Sequence, residues 1–161
     1  MKPVVWGLLL AAALIVQASF LPLLAVNGVR PDLLLLVVVS AGLLFGREQG
    51  VGMGFFAGLL QDLAAGNIFG VCVLSKTATG YMAGLMERNV FKERFLLPVL
   101  AVAVATVFNN AVMLTVVFVL GFEVELPAAL TNTFFVMGYN TVLAIPVYRL
   151  VSKVAGSEMT G

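Results

Sequence analysis

Between Val4 and Val151 the chain runs from one apolar stretch to the next, and its longest polar interruption is Glu87 to Arg94. No segment is long and polar enough to form a separate aqueous domain. Composition agrees: 61% of the 161 residues are hydrophobic and 11% are charged, against about 45–50% and about 25% in water-soluble domains. The expectation is an all-α integral membrane protein, a single transmembrane domain over residues 1–161. Histidine is absent and Cys72 is the one cysteine. Imidazole metal sites, histidine proton relays and Ser-His or Cys-His nucleophiles are therefore excluded. Cys72 cannot form an internal disulfide and reads as a small buried hydrophobe.

The apolar runs predict six spans, at about 4–24, 32–46, 51–65, 68–86, 95–120 and 128–151. The first follows Lys2 and could pass for a signal peptide. It is longer than the usual ~7–15-residue apolar core of one, so a retained span is expected. Asn27-Gly28 and Arg30-Pro31 are turn signals, and Pro31-Asp32 suits a helix start, with proline early and an acid at the positive end of the dipole. The second and third spans are short, since about 15 residues rise only ~22 Å. Six crossings are expected, with five crossings plus a re-entrant element as the alternative. Gly66-Asn67 is a minimal turn, which makes the third and fourth spans antiparallel neighbours. Pro146, in the last span, is a kink candidate.

Charge sets the expected orientation. With six crossings and a cytoplasmic N-terminus, Lys2, Arg47, Arg88, Lys92, Arg94, Arg149 and Lys153 fall inside, and Arg30 alone falls outside. Such a split predicts both termini in the cytoplasm.

Two ionisable residues, Asp62 and Lys76, interrupt the apolar runs of the third and fourth spans. Each costs on the order of 2.5–3.5 kcal/mol at the centre of a bilayer and needs a partner or a polar site. Their Cα depths differ by roughly 8–9 Å at 1.5 Å per residue, much of which a lysine can cover by snorkelling. An interhelical Asp62–Lys76 pair is the first expectation; a polar cavity or a contact with a partner's helix is the second. Gln61, Ser75, Thr77, Thr79, Asn109, Asn110, Asn132 and Asn140 read as interhelical glue. Gly42/Gly46, Gly54/Gly58 and Gly80/Gly84 are spaced for close helix approach, inside the bundle or against a partner.

No motif for chemistry is present: no phosphate-cradling loop, paired carboxylates, cysteine cluster or basic aromatic patch for nucleic acid. No enzyme, cofactor or metal site is expected.

From Arg30 to Gly84 the chain resembles the MreD family of rod-shape-determining membrane proteins. The likeness rests on Pro31-Asp32 before a leucine-valine run, then Gly54, Gly58 and Asp62, a turn with Gly66 and Gly70, and a fourth span ending in Gly80, Tyr81 and Gly84. NTVLAIPVYRL, with Asn140, Pro146 and Arg149, resembles the family's last span. The resemblance implies a bacterial inner-membrane protein without catalytic activity. It implies action with the bitopic protein MreC, and through it with the RodA glycosyltransferase, a penicillin-binding transpeptidase and MreB, in lateral peptidoglycan synthesis. It also implies a six-helix fold similar to the S components of energy-coupling-factor vitamin transporters.

That similarity supplies the alternative, a subunit binding a vitamin-sized molecule. The loops Ala25 to Pro31, Gly66-Asn67 and Gly121 to Pro127 are short and lack Trp, Tyr and His, which favours a scaffold over a lidded ligand site. A channel or proton-coupled transporter would rest on Asp62 and Lys76 alone, without the internal repeat of most such folds. For the scaffold, the glycine-rich third and fourth spans are expected to supply either the docking face for the partner's helix or its support.

Overall fold

The computed structural model describes residues 2–26, 28–66, 68–86 and 96–160. The ERNVFKER loop lies outside the described residues. Within them are six α-helices: α1 (Pro3–Ser19), α2 (Leu33–Phe45), α3 (Arg47–Ala65), α4 (Val71–Met86), α5 (Leu96–Val119) and α6 (Leu126–Met159). A 3-10 turn, Leu21–Leu24, follows α1. The expected first span therefore divides, because Pro22 lacks the N–H that would continue the helix.

α2 is the axis of the bundle. Every residue from Leu34 to Leu43 is buried, and the helix touches α1, α3, α4, α5 and α6. It has no polar face because all its sides meet other helices. Leu34, Val37, Val38 and Ala41 pack with Trp6, Leu10, Met53 and Val151. Leu35, Leu36, Val39 and Leu43 pack on another side with Ala83, Val102, Ala105 and Ala144. Gly46 ends α2 at φ +89°, a conformation side chains resist, and α3 starts at the next residue.

α3 and α4 form the most extensive helix pair, as the short turn after Gly66 requires. α3 begins at Arg47 and has 19 residues, so it rises about 28 Å where the apolar run alone suggested ~22 Å. α2 has 13 residues and rises only about 20 Å. By length and composition, two helices are fit to cross a membrane, Pro98–Val119 and Leu126–Glu158; Pro3–Ser19 and Leu33–Phe45 are apolar but shorter.

α6 continues through Pro146 and has 34 residues, so residues read as a polar tail belong to the helix. Its end reaches α1 through side chains: Glu158 accepts hydrogen bonds from the Trp6 indole at 2.9 Å and the Lys2 amide at 3.0 Å. The outer surface is apolar, with Leu8, Phe56, Leu74, Val104, Phe118 and Val142 all exposed.

Candidate functional site

The polar residues gather where α2 starts and α3 ends. Asp32 sits just before α2, and its Oδ1 accepts from the Leu35 amide at 3.0 Å. Its Oδ2 accepts from Lys76 Nζ at 2.6 Å. Lys76 is 1% exposed, so the pair satisfies a buried ammonium with a carboxylate that the α2 dipole already favours. The Asp32 amide donates to Asn140 Oδ1 at 2.9 Å. Asn140 Nδ2 donates to Thr106 Oγ1 at 3.0 Å, and that hydroxyl donates to the Val102 carbonyl. From α1, Gln17 Oε1 accepts from the Leu34 amide at 3.3 Å. Of the amides at the opening of α2, which no helix can satisfy internally, those of Asp32, Leu34 and Leu35 are thus met from α6, α1 and the Asp32 cap. Lys76 on α4 is held by the same carboxylate.

The expected Asp62–Lys76 pair does not form. Asp62 accepts from the backbone amides of Gly70 at 2.9 Å, Cys72 at 3.2 Å and Val73 at 3.1 Å, so it caps the start of α4. Depth decides this: Asp62 lies at the end of α3, level with the free amides of α4, whereas Lys76 lies about 7–8 Å further along α4, level with the start of α2. Replacing Asp62 by leucine leaves those amides without their acceptor; we expect a loss of about 2 kcal/mol or more. Asp62→Asn, which keeps an acceptor oxygen, should lose less. Thermal unfolding in detergent checks both, and equal stability of Asp62→Leu and the parent would contradict the cap.

The glycine pairs are consumed within the bundle. A methyl group built on Gly58 would lie 2.5 Å from the Cys72 carbonyl oxygen, and one on Gly54 would lie 2.7 Å from the Lys76 carbonyl carbon. Gly80 faces the Gly50 backbone, and Gly84 faces Arg47 and Gly46. The seam between α3 and α4 is therefore closed by the two backbones, with no open groove at these glycines. Tyr81 is exposed on α4 and takes no part in the cluster.

Of the polar residues read as glue, some bridge helices and others do not. Asn140 joins α6 to α5, and Asn110 Nδ2 reaches Thr133 Oγ1 at 3.2 Å. Ser75 and Thr79 instead bond carbonyls of their own helix, and Asn132 is exposed.

Beside the Asp32–Lys76 pair is a cavity of about 350 Å³, whose lining includes Gln17, Arg30, Pro31, Gln61, Cys72 and Asn109. Two side-chain oxygens in its wall residues, Gln61 Oε1 and Asn109 Oδ1, are buried without a hydrogen-bond partner. Among the described residues no group of His, Cys, Asp or Glu could hold a metal ion. Asp32 and Asp62 are both engaged with donors, so the arrangement organises helix ends and can receive a polar group.

Residues 1–154 match the family model described as rod shape-determining protein MreD. The chain belongs to the MreD family. No curated protein and no solved structure matches it. MreD proteins are membrane proteins of rod-shape determination, and the residues that carried the resemblance have structural tasks in this member. Pro31-Asp32 opens the central helix and holds Lys76; Gly54, Gly58, Gly80 and Gly84 admit α3 to α4; Asp62 caps α4 through the turn containing Gly66 and Gly70.

The sequence marks Asp32 as an acid at a helix start and Asn140 as glue, but not that Asp32 caps the helix or that both meet Lys76's neighbourhood. The available signal was that Asp32, unlike Glu123 or Glu125, directly precedes the most apolar run of the MreD chain. A carboxylate opening a fully buried helix is itself a buried group.

Proposed function

We propose that this MreD-family protein is a non-catalytic scaffold of lateral wall synthesis. It crosses the inner membrane six times, with both termini in the cytoplasm and an S-component-like helix arrangement, and it holds the transmembrane helix of an MreC-like bitopic partner. Through that partner it acts with RodA, a penicillin-binding transpeptidase and MreB. The observation that carries this reading is the family match over residues 1–154. It is supported by a polar network whose members tie helix starts together. Because the hairpin glycines are filled from within, the partner helix is assigned to an outer face. Asn132, an exposed amide on α6 near the exposed Leu130 and Phe134, offers hydrogen bonding where lipid cannot.

A photo-crosslinking amino acid at Asn132 or Leu130 is expected to capture the MreC-like partner in membranes, while one at Leu74 on α4 should not. Capture from Leu74 only would move the docking face. Capture from none of the outer positions, with a specifically retained vitamin-sized molecule, would replace the scaffold by the ligand-binding alternative.

A further inference from the structure

The polar cavity is not isolated. Below it, along the same two helices, α1 and α3 touch only slightly and leave a groove of about 640 Å³ whose lining includes Trp6, Gly7, Leu10, Gly52, Phe56 and Leu60. Among the described residues, no atom from outside their own helix turn lies within 4 Å of where a side chain on Gly7 or Gly52 would begin. Just beyond it, Leu14 on α1 and Gln61 on α3 line the polar cavity. The seam is thus apolar over most of its length and polar at one end. From Gln49 to Leu60 the groove follows α3 for roughly 16 Å, a length suited to much of an acyl chain.

We propose that this seam binds one phospholipid whose headgroup is anionic and carries free hydroxyls. The chain lies in the α1–α3 groove and the headgroup enters the cavity. Three features select that chemistry.

First, the orphan atom of Asn109 is a carbonyl oxygen. The Thr133 hydroxyl donates to the Ala129 carbonyl, so toward Asn110 it must accept, which fixes Nδ2 of Asn110 as the donor. Oδ1 of Asn110 then accepts from Asn109 Nδ2, leaving Asn109 Oδ1 as the atom without a partner, in a residue 3% exposed. With Gln61 Oε1 it calls for hydrogen-bond donors, since an unsatisfied buried acceptor costs about 1–3 kcal/mol.

Second, the cavity lining holds Arg30 and Lys76 against Asp32. Lys76 is spent on Asp32, which leaves the exposed Arg30 guanidinium for a phosphate. Third, only an amphiphile uses both parts of the seam. An acyl chain with a donor-bearing headgroup fills the groove and meets Asn109 in one molecule, whereas a free polyol would leave the groove empty. Phosphatidylglycerol is the simplest lipid with a phosphate and donating hydroxyls.

The test is native mass spectrometry of the full chain in mild detergent, after exposure to phosphatidylglycerol, to phosphatidylcholine with the same acyl chains, or to free glycerol phosphate. Wild type should retain a single phosphatidylglycerol with a preference of about tenfold or more over phosphatidylcholine. Arg30→Glu should remove that preference, and Gly52→Phe, which fills open space in the groove, should weaken retention of both lipids; Arg30→Glu should leave the unfolding temperature of delipidated protein unchanged. Equal retention of the two lipids, unaltered retention by Arg30→Glu, or no retained lipid at all overturns the proposal. A stability gain from free glycerol phosphate without any from the lipid overturns it in favour of a soluble ligand. None of these outcomes depends on which face the partner helix uses.

Discussion

Replacing Asp32 by asparagine is expected to cost about 3–5 kcal/mol of stability, the range for breaking a buried ion pair from one side. Asparagine still caps a helix well, so the bond to the Leu35 amide can survive and the loss reports on the charge. What remains is the Lys76 ammonium, 1% exposed, with the carboxylate it pairs with gone. Lys76→Met should hurt less, about 2–3 kcal/mol, because the stranded carboxylate keeps the Leu35 amide and the α2 dipole. The Asp32→Asn, Lys76→Met double variant should be more stable than Asp32→Asn alone, since it contains no stranded charge. Thermal unfolding of the four proteins in detergent gives the cycle, and additive losses would contradict the pair. The same cycle between Asp62→Asn and Lys76→Met should be additive to within about 0.5 kcal/mol, because Asp62 is bound by backbone amides of α4.

The apolar runs were enough to read six helices in the right order, and the Gly66 turn was enough to pair α3 with α4. Ends were less legible where the helix continued through polar residues. Arg47 to Gly50 joins α3 and Ser152 to Met159 joins α6 because packing against α4 and α1 holds segments that hydropathy alone discards. The partner of Lys76 was hidden for a different reason. Spacing along a hairpin compares residues on adjacent helices, whereas Asp32 reaches Lys76 from a helix 44 positions earlier. Only the central place of α2, touched by five helices, brings its first turn to the middle of α4. Nor does glycine spacing say what fills the space a glycine leaves. That depends on which neighbour is present, and here it is the backbone of the paired helix.

Gly80→Ala is expected to have the largest effect of any single methyl group added to this protein. On the assembled helices that methyl would sit 2.6 Å from the Gly50 carbonyl carbon and 3.1 Å from a Val38 methyl. The first neighbour is backbone and cannot rotate away, so α3 must move from α4 or the helices must separate. Overpacking in a tight core costs about 1–3 kcal/mol and occasionally more; with backbone as the nearest neighbour, about 3 kcal/mol or more is expected here. Between helices in lipid, apolar contact supplies no hydrophobic drive, so close packing carries much of the association, and its loss is not offset elsewhere. Gly52→Ala, on α3 but facing the groove toward α1, is the control. With nothing within 4 Å, it should gain up to about 1 kcal/mol from the better helix propensity of alanine. Folded yield and unfolding temperature in detergent separate the two. If Gly80→Ala were as stable as Gly52→Ala yet lost its bitopic partner, the α3–α4 seam would be open to that partner after all. Loss of folded protein with Gly80→Ala, and a fully folded Gly52→Ala that still binds the partner, places the seam inside the scaffold and leaves docking to the outer helices.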